Sequence, residues 1–216
     1  MTNVRRRFSW PPLFTFLVVF LPLVFLEGRY RVLPQWIVPV ASVSGLVLVI
    51  VSIAAAWSGR DRLERGSAET LAGVLILINA VSLFFLIGML LSPVSIDGRR
   101  LLSSALSIWA GNLVMFALIY WALDRGGPVA REAGAATPTD FIFPEMTKSD
   151  YSPQRWHPNF GDYLYLSFNT STAFSATDCP TGSTRVRILI MIQAVISLAT
   201  IVIVAARAVG MVPGPT

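Results

Sequence analysis

The chain has 216 residues, 54% hydrophobic and only 13% charged, with a mean hydropathy of +0.65. Water-soluble domains carry about a quarter charged residues, so this composition excludes an ordinary soluble fold and predicts an all-α polytopic helix bundle in a lipid bilayer. The formal charge of +5 does not indicate a nucleic-acid surface, because Arg5–Arg7, Arg60, Arg62, Arg65, Arg99 and Arg100 lie in tails and connections between apolar runs, where they meet headgroups.

The first apolar run, Phe8–Leu26, follows Arg5–Arg7, opens with Trp10, Pro11 and Pro12, and contains Pro22, which removes a backbone donor and bends a helix. No small-x-small cleavage site follows Glu27, so the run reads as a retained span rather than a signal peptide. A turn with Arg29 and Arg31 leads to a second span, Pro34–Trp57, flanked by the belt residues Trp36 and Trp57. The alternating charges of Ser58–Glu69 form a connection to a third span, Thr70–Leu91.

Ser92, Pro93, Asp97 and Gly98 mark a loop before the fourth span, Leu101–Leu123, which ends in the interfacial pair Tyr120 and Trp121 and is stopped by Asp124–Pro128. Polar and aromatic residues from 124 to 160 then form a cap or linker. The next apolar segment, Tyr163–Phe174, is about a dozen residues long; at 1.5 Å per residue it covers about 18 Å of a core about 30 Å thick. It is expected to enter the membrane partway or lie on its surface, starting at Gly161 and Asp162, whose carboxylate can cap free N–H groups. The last span is Ile188–Ala206, between Arg187 and Arg207. The chain thus divides into a three-span region, 1–100, and a module, 101–216, and has about five spans in all.

Polar groups inside the spans are few. Gln193, Ser197 and Thr200 share one face of the last span, where they either line a water-filled path or bond to neighbouring helices, the second being the commoner role. Asn79 and Asn112 lie near mid-membrane and need partners, each other or Gln193. Gly73, Gly88 and Gly111 read as close-packing positions. No Asp, Glu, Lys or Arg stands well inside a span, which disfavours pumps, voltage sensors and ion-coupled transporters. The single cysteine, Cys179, forms no internal disulfide, and the single histidine, His157, with Asp150 and Asp162 nearby, makes neither a metal cage nor a nucleophile–base pair; Ser171 and Ser175 are its nearest conceivable partners. No enzymatic activity, cofactor or metal is expected.

Ser167, Phe168, Asn169, Thr170, Ser171, Thr172, Ala173, Phe174, Ser175, Ala176, Thr177, Asp178, Cys179 and Pro180 stand between two spans, after a half-length helix. This plan resembles the two-helix pore module of potassium channels, whose filter reads T-x-T-T-V-G-Y-G-D with a nearby Pro; Thr170, Thr172, Asp178 and Pro180 fall at or near the matching places. Both filter glycines are replaced, by Ser175 and Thr177, and the tyrosine by Ala176. Successive inward carbonyls need backbone conformations that Gly adopts cheaply and Thr does not, so a potassium-selective ladder is not expected.

The run from Asp162 to Asp178 is also similar to bacterial multi-pass membrane proteins of unassigned activity, which implies a bacterial inner membrane. What the channel resemblance implies is a homo-oligomeric, weakly selective conductor of monovalent cations. Thr170, Thr172, Ser175 and Thr177 would offer oxygens, Asp178 would bias the mouth, and Gln193, Ser197 and Thr200 would face the path. The rival expectation is a non-conducting scaffold that keeps the same module.

Charge does not settle orientation. A cytoplasmic N-terminus puts Arg5–Arg7, Arg60, Arg62 and Arg65 inside against Arg29, Arg31, Arg99, Arg100 and Arg207 outside, and it places the long loop in the cytoplasm, opposite to a potassium channel.

Overall fold

The computed structural model describes residues 10–27, 37–58, 60–91, 98–127, 131, 138–150, 152, 156–175 and 178–210. Among them the chain is all-α. Its helices are α1 (Trp10–Glu27), α2 (Ile37–Trp57), α3 (Asp61–Leu91), α4 (Gly98–Leu123), α5 (Phe160–Ala173) and α6 (Thr184–Gly210), with short 3-10 turns at Asp124–Gly126 and Pro144–Thr147. The only extended pairing among these residues is an isolated bridge between Phe141 and Thr181.

Three helices contain stretches long and apolar enough to cross a bilayer: Arg62–Gly88, Leu102–Gly126 and Thr184–Ala206. The apolar stretches described in α1 and α2 are shorter, Trp10–Val19 and Val43–Ala55. Many of these residues are β-branched, and in lipid only a helix or closed barrel satisfies every backbone group, so solvent rather than propensity explains helices of this composition. In α1 the pair Pro11 and Pro12 occupies the first turn, where a missing N–H costs nothing, and the helix continues through Pro22.

Helix boundaries depart from the sequence reading where charge patterns intervene. The Ser58–Glu69 connection is largely helical, because α3 starts at Asp61 and Arg65 pairs with Glu69 one turn on, at 2.6 Å. The last helix starts at Thr184, and the short helix at Phe160. Helix α4 ends as expected, in a left-handed run through Arg125, Gly126 and Gly127.

Helix α4 is the hub of the bundle, packing against α1, α3, α5 and α6, while α2 packs on α1 and α3. Phe116, Met115, Leu118 and Tyr120 of α4 meet Leu71, Leu75 and Leu86 of α3 in a fully buried core. The outer faces are apolar too: Val43, Val47 and Ile50 of α2, Leu77 and Phe84 of α3, and Met191, Val195 and Val202 of α6 are all exposed, as lipid-facing side chains should be.

Ring and side-chain contacts define one end of the bundle. Trp10, at the start of α1, stacks edge-on against Phe160 at 5.0 Å, and Phe160 meets Trp121 at the end of α4. The Arg65 side chain, near the start of α3, lies over Gly127. Helices α1, α3, α5 and α6 therefore run away from this end, and α2 and α4 run toward it.

The described part of the 124–160 loop is an ordered cap on that end. Phe141 and Phe143 pack on each other and on Tyr120, Tyr163 and Trp156, with ring centroids 5.0 to 6.4 Å apart.

Candidate functional site

Helix α5 begins with a capping box: the Asn159 side chain accepts from the Gly161 N–H at 2.8 Å, and the Asp162 carboxylate accepts from the Asn159 N–H at 2.7 Å. Its pattern divides it lengthwise. Phe160, Tyr163, Leu166, Ser167, Thr170 and Ser171, spaced three and four apart, are buried, whereas Tyr165, Phe168 and Thr172 are exposed. Phe174 closes the helix in the left-handed conformation, at φ 54°.

The buried face of α5 is bonded to both long helices. Ser167 donates to the carbonyl of Leu113 on α4 at 2.6 Å, about ten residues, or about 15 Å, from the capped end of that helix. From α6, the Gln193 amide nitrogen donates toward the Ser167 hydroxyl at 2.6 Å, the Ser167 carbonyl at 2.9 Å and the Ser171 hydroxyl at 2.9 Å. Its side-chain oxygen accepts from Tyr120 of α4 at 2.6 Å. Asn112 of α4 donates to the Gln193 carbonyl at 3.2 Å and to the Ser197 hydroxyl at 2.8 Å. Ser167, Gln193, Ser197 and Asn112 are fully buried, so this is a buried polar layer holding three helices together at one depth.

After α5 the chain climbs back to the end it came from. Ile142 of the cap donates to the carbonyl of Pro180 at 2.9 Å, and Gly182 donates to the carbonyl of Asp140 at 2.8 Å. A helix of fourteen residues descends about 21 Å, and the seven steps from Ala173 to Pro180 reach about 23 Å when extended, enough to return.

The cap locks that return. Asp140 is buried and accepts from Ser183 at 2.6 Å and from Arg185 at 2.7 Å. Burial alone would raise the Asp140 carboxyl, but the hydrogen bonds from Arg185 and Ser183 outweigh it and hold it below its ordinary value. Asp124, fully buried, accepts from the Asp140 backbone N–H at 2.9 Å and from the Tyr163 hydroxyl at 2.6 Å. Arg131 reaches over the rings of Trp121 and Tyr163 and donates to the carbonyls of Trp121 and Asp124; burial lowers its pKa, against the opposing pull of Tyr163 and Asp124.

The residues singled out in the sequence are distributed as follows. Gln193, Ser197 and Thr200 are all fully buried; the first two join the polar layer, and Thr200 bonds to the Ile196 carbonyl of its own helix. Asn112 joins the layer too. Asn79 does not: it stands beside Gly111, and its amide nitrogen has no partner. Thr170 is buried and bonds to the Leu166 carbonyl. Thr172, Ser175 and Asp178 are exposed along the end of α5 and the return. Thr177 lies outside the described residues. His157 is exposed on the cap, apart from Ser171, which is buried against Gln193.

Three residues of the polar layer depart from the sequence reading or are missing from it. Tyr120 is no interfacial belt residue; it is buried, with its hydroxyl committed to Gln193. Ser167 and Ser171 carry a signal of their own, since polar residues one turn apart on a short apolar helix mark a face turned toward other polar groups. Against this geometry, no family model, no curated protein and no solved structure matches the chain.

Proposed function

We propose that this chain is a five-span, multi-pass protein of a bacterial inner membrane in which α4, α5 and α6 form a channel-like module. Assembled as a homo-oligomer, the module conducts monovalent cations with low selectivity. The observation that carries this reading is the division of polar groups around α5. Those on its inner face are buried against α4 and α6, while Thr172, Ser175 and Asp178, on the end of α5 and the segment that leads back to the cap, are exposed.

With α5 read as re-entrant, this exposed polar segment stands at membrane depth, where irregular backbone is tolerated only against protein or a water-filled cavity. Further copies of the chain around a central axis supply both. Thr172 and Ser175 then offer oxygens to a partly hydrated ion, and Asp178 near the mouth favours cations. Gln193, Ser197 and Thr200 act as the frame that holds α5 in place, because their side chains are used up inside one chain.

That inward pairing of Gln193, Ser197 and Thr200 also favours a second reading, a non-conducting scaffold that keeps the module's shape. Cation flux into liposomes separates the two. Conduction predicts flux that falls at least tenfold in Thr172→Val and Asp178→Asn variants that assemble normally. Flux indifferent to both substitutions, or a purified wild-type oligomer that passes no ions, would support the scaffold.

A further inference from the structure

We infer that the capped end of the bundle is its cytoplasmic end, held against the anionic headgroups of the inner leaflet by the exposed side chains of Arg60, Arg62 and Arg187. The inference rests on the five-span, inner-membrane reading above but not on conduction.

Helix direction decides to which end each basic residue belongs. Helices α1, α3, α5 and α6 start at the capped end, and α2 and α4 finish there. By their order in the chain, only Arg29, Arg31, Arg99, Arg100 and Arg207 of the 17 Lys and Arg residues then belong to the opposite end, and the other 12 belong to the capped end. The near balance of arginines along the sequence disappears because the cap is folded on the bundle. Arg125 and Arg131 bond within it beside the end of α4, and Arg185 ties it to the start of α6. Basic residues in short loops beside spans stay in the cytoplasm, and carboxylates offset that bias little.

Exposure shows which of these charges meet lipid. Arg60 is exposed in the turn between α2 and α3. Arg62 and Arg187 are exposed in the first turns of α3 and α6, each one residue before an exposed apolar side chain, Leu63 and Ile188. Trp10 and Trp57 are exposed at the same end, as rings at headgroup level are. A cation in the first turn of a helix opposes the positive end of its dipole, so it calls for an anion. Arg65 and Arg185 have theirs in Glu69 and Asp140. Among the described residues, Arg60, Arg62 and Arg187 form no ion pair with a carboxylate; Arg187 donates to the hydroxyl and carbonyl of Thr181, neither of them charged. Lipid phosphates supply the anion, because the apolar residues below fix these arginines at the bilayer surface and their long stems let the guanidinium groups snorkel to it. Helix α5 then enters from the cytoplasmic side, the reverse of a potassium channel.

Sided labelling of the full chain tests the orientation. Ser149→Cys in the cap and a cysteine appended after Thr216 are each probed with a membrane-impermeant maleimide, in spheroplasts and in inside-out inner-membrane vesicles. The parent chain, whose Cys179 is buried, is the blank. Ser149→Cys should label in inside-out vesicles and not in spheroplasts, and the appended cysteine should do the opposite. The reverse pattern would overturn the inference and leave five spans intact, whereas labelling of both cysteines from one face would contradict the five-span reading and the inference with it. The lipid contact has its own readout. Phosphatidylglycerol added to phosphatidylcholine–detergent micelles should raise the unfolding midpoint, and a chain with Arg60→Gln, Arg62→Gln and Arg187→Gln should lose about half of that rise or more. No rise in the parent chain, or the same rise in both, would remove the three arginines from the headgroup contact.

Discussion

The Tyr120 hydroxyl on α4 donates a 2.6 Å hydrogen bond to the Gln193 side chain on α6, and both residues are completely buried. Gln193 thereby uses its oxygen toward α4 and its nitrogen toward Ser167 and Ser171 of α5. Gln193→Leu removes the bonds to Tyr120, Ser167 and Ser171, leaving Ser167 only its bond to Leu113, and should destabilise the protein by about 2 kcal/mol, whereas Tyr120→Phe removes one bond and should cost about 0.6–1.7 kcal/mol. Denaturant-induced unfolding in mixed micelles checks both values and their order.

Gly182 is needed for a close approach of two backbones. A Cβ at this position would collide with the Thr139 carbonyl oxygen, a group that cannot move without breaking the Gly182 to Asp140 hydrogen bond. Gly182→Ala should cost about 1–3 kcal/mol and loosen residues 138–150 first. Hydrogen exchange resolved by segment would register faster exchange in the cap and little change in α3.

Asp140 gives the cap a defined acid response. Its carboxyl is held below the ordinary value in the folded chain, so its stabilising effect is complete above the unfolded value of about 3.9 and is lost as pH falls through the lowered value. Arg185 is half exposed, which limits the contribution to about 1–2 kcal/mol. Asp140→Asn should lose that amount at neutral pH, and the gap from wild type should close below about pH 3.9. Trp156, packed on Phe143, reports cap release by fluorescence.

Cys179 should be inert while the protein is folded. It is buried, and burial, with Asp178, Asp124 and Glu145 nearby, pushes its thiol up to about 12. Maleimide labelling at neutral pH should be negligible in mild detergent and complete after denaturation.

The apolar segments and the half-length helix could be read from the sequence because length and hydropathy are properties of one segment at a time. The pairing of Gln193 with Tyr120 and Ser167 could not, since it joins residues 73 and 26 positions apart whose meeting depends on how three helices rotate. Tyr120 shows the cost of a local rule: beside Trp121 it looks like a belt residue, yet Phe141 of the cap and Gln193 of α6 both cover it. Asp124 was legible as a helix stop but not as the buried acceptor for Tyr163 and the Asp140 backbone. Of the two asparagines expected to pair with each other or with Gln193, Asn112 donates to the Gln193 carbonyl and to Ser197, whereas Asn79 lies beside Gly111 with its amide nitrogen unpartnered.

The descent and return of the chain through α5 underlies the proposed pore, and sidedness of labelling tests it most directly. Lys148→Cys in the cap and Asp178→Cys on the return, each probed in sealed vesicles with a membrane-impermeant maleimide, should react from the same face, with a tag at the C-terminus reached only from the other. Labelling of the two positions from opposite faces would mean that α5 crosses the membrane, and would contradict the re-entrant module.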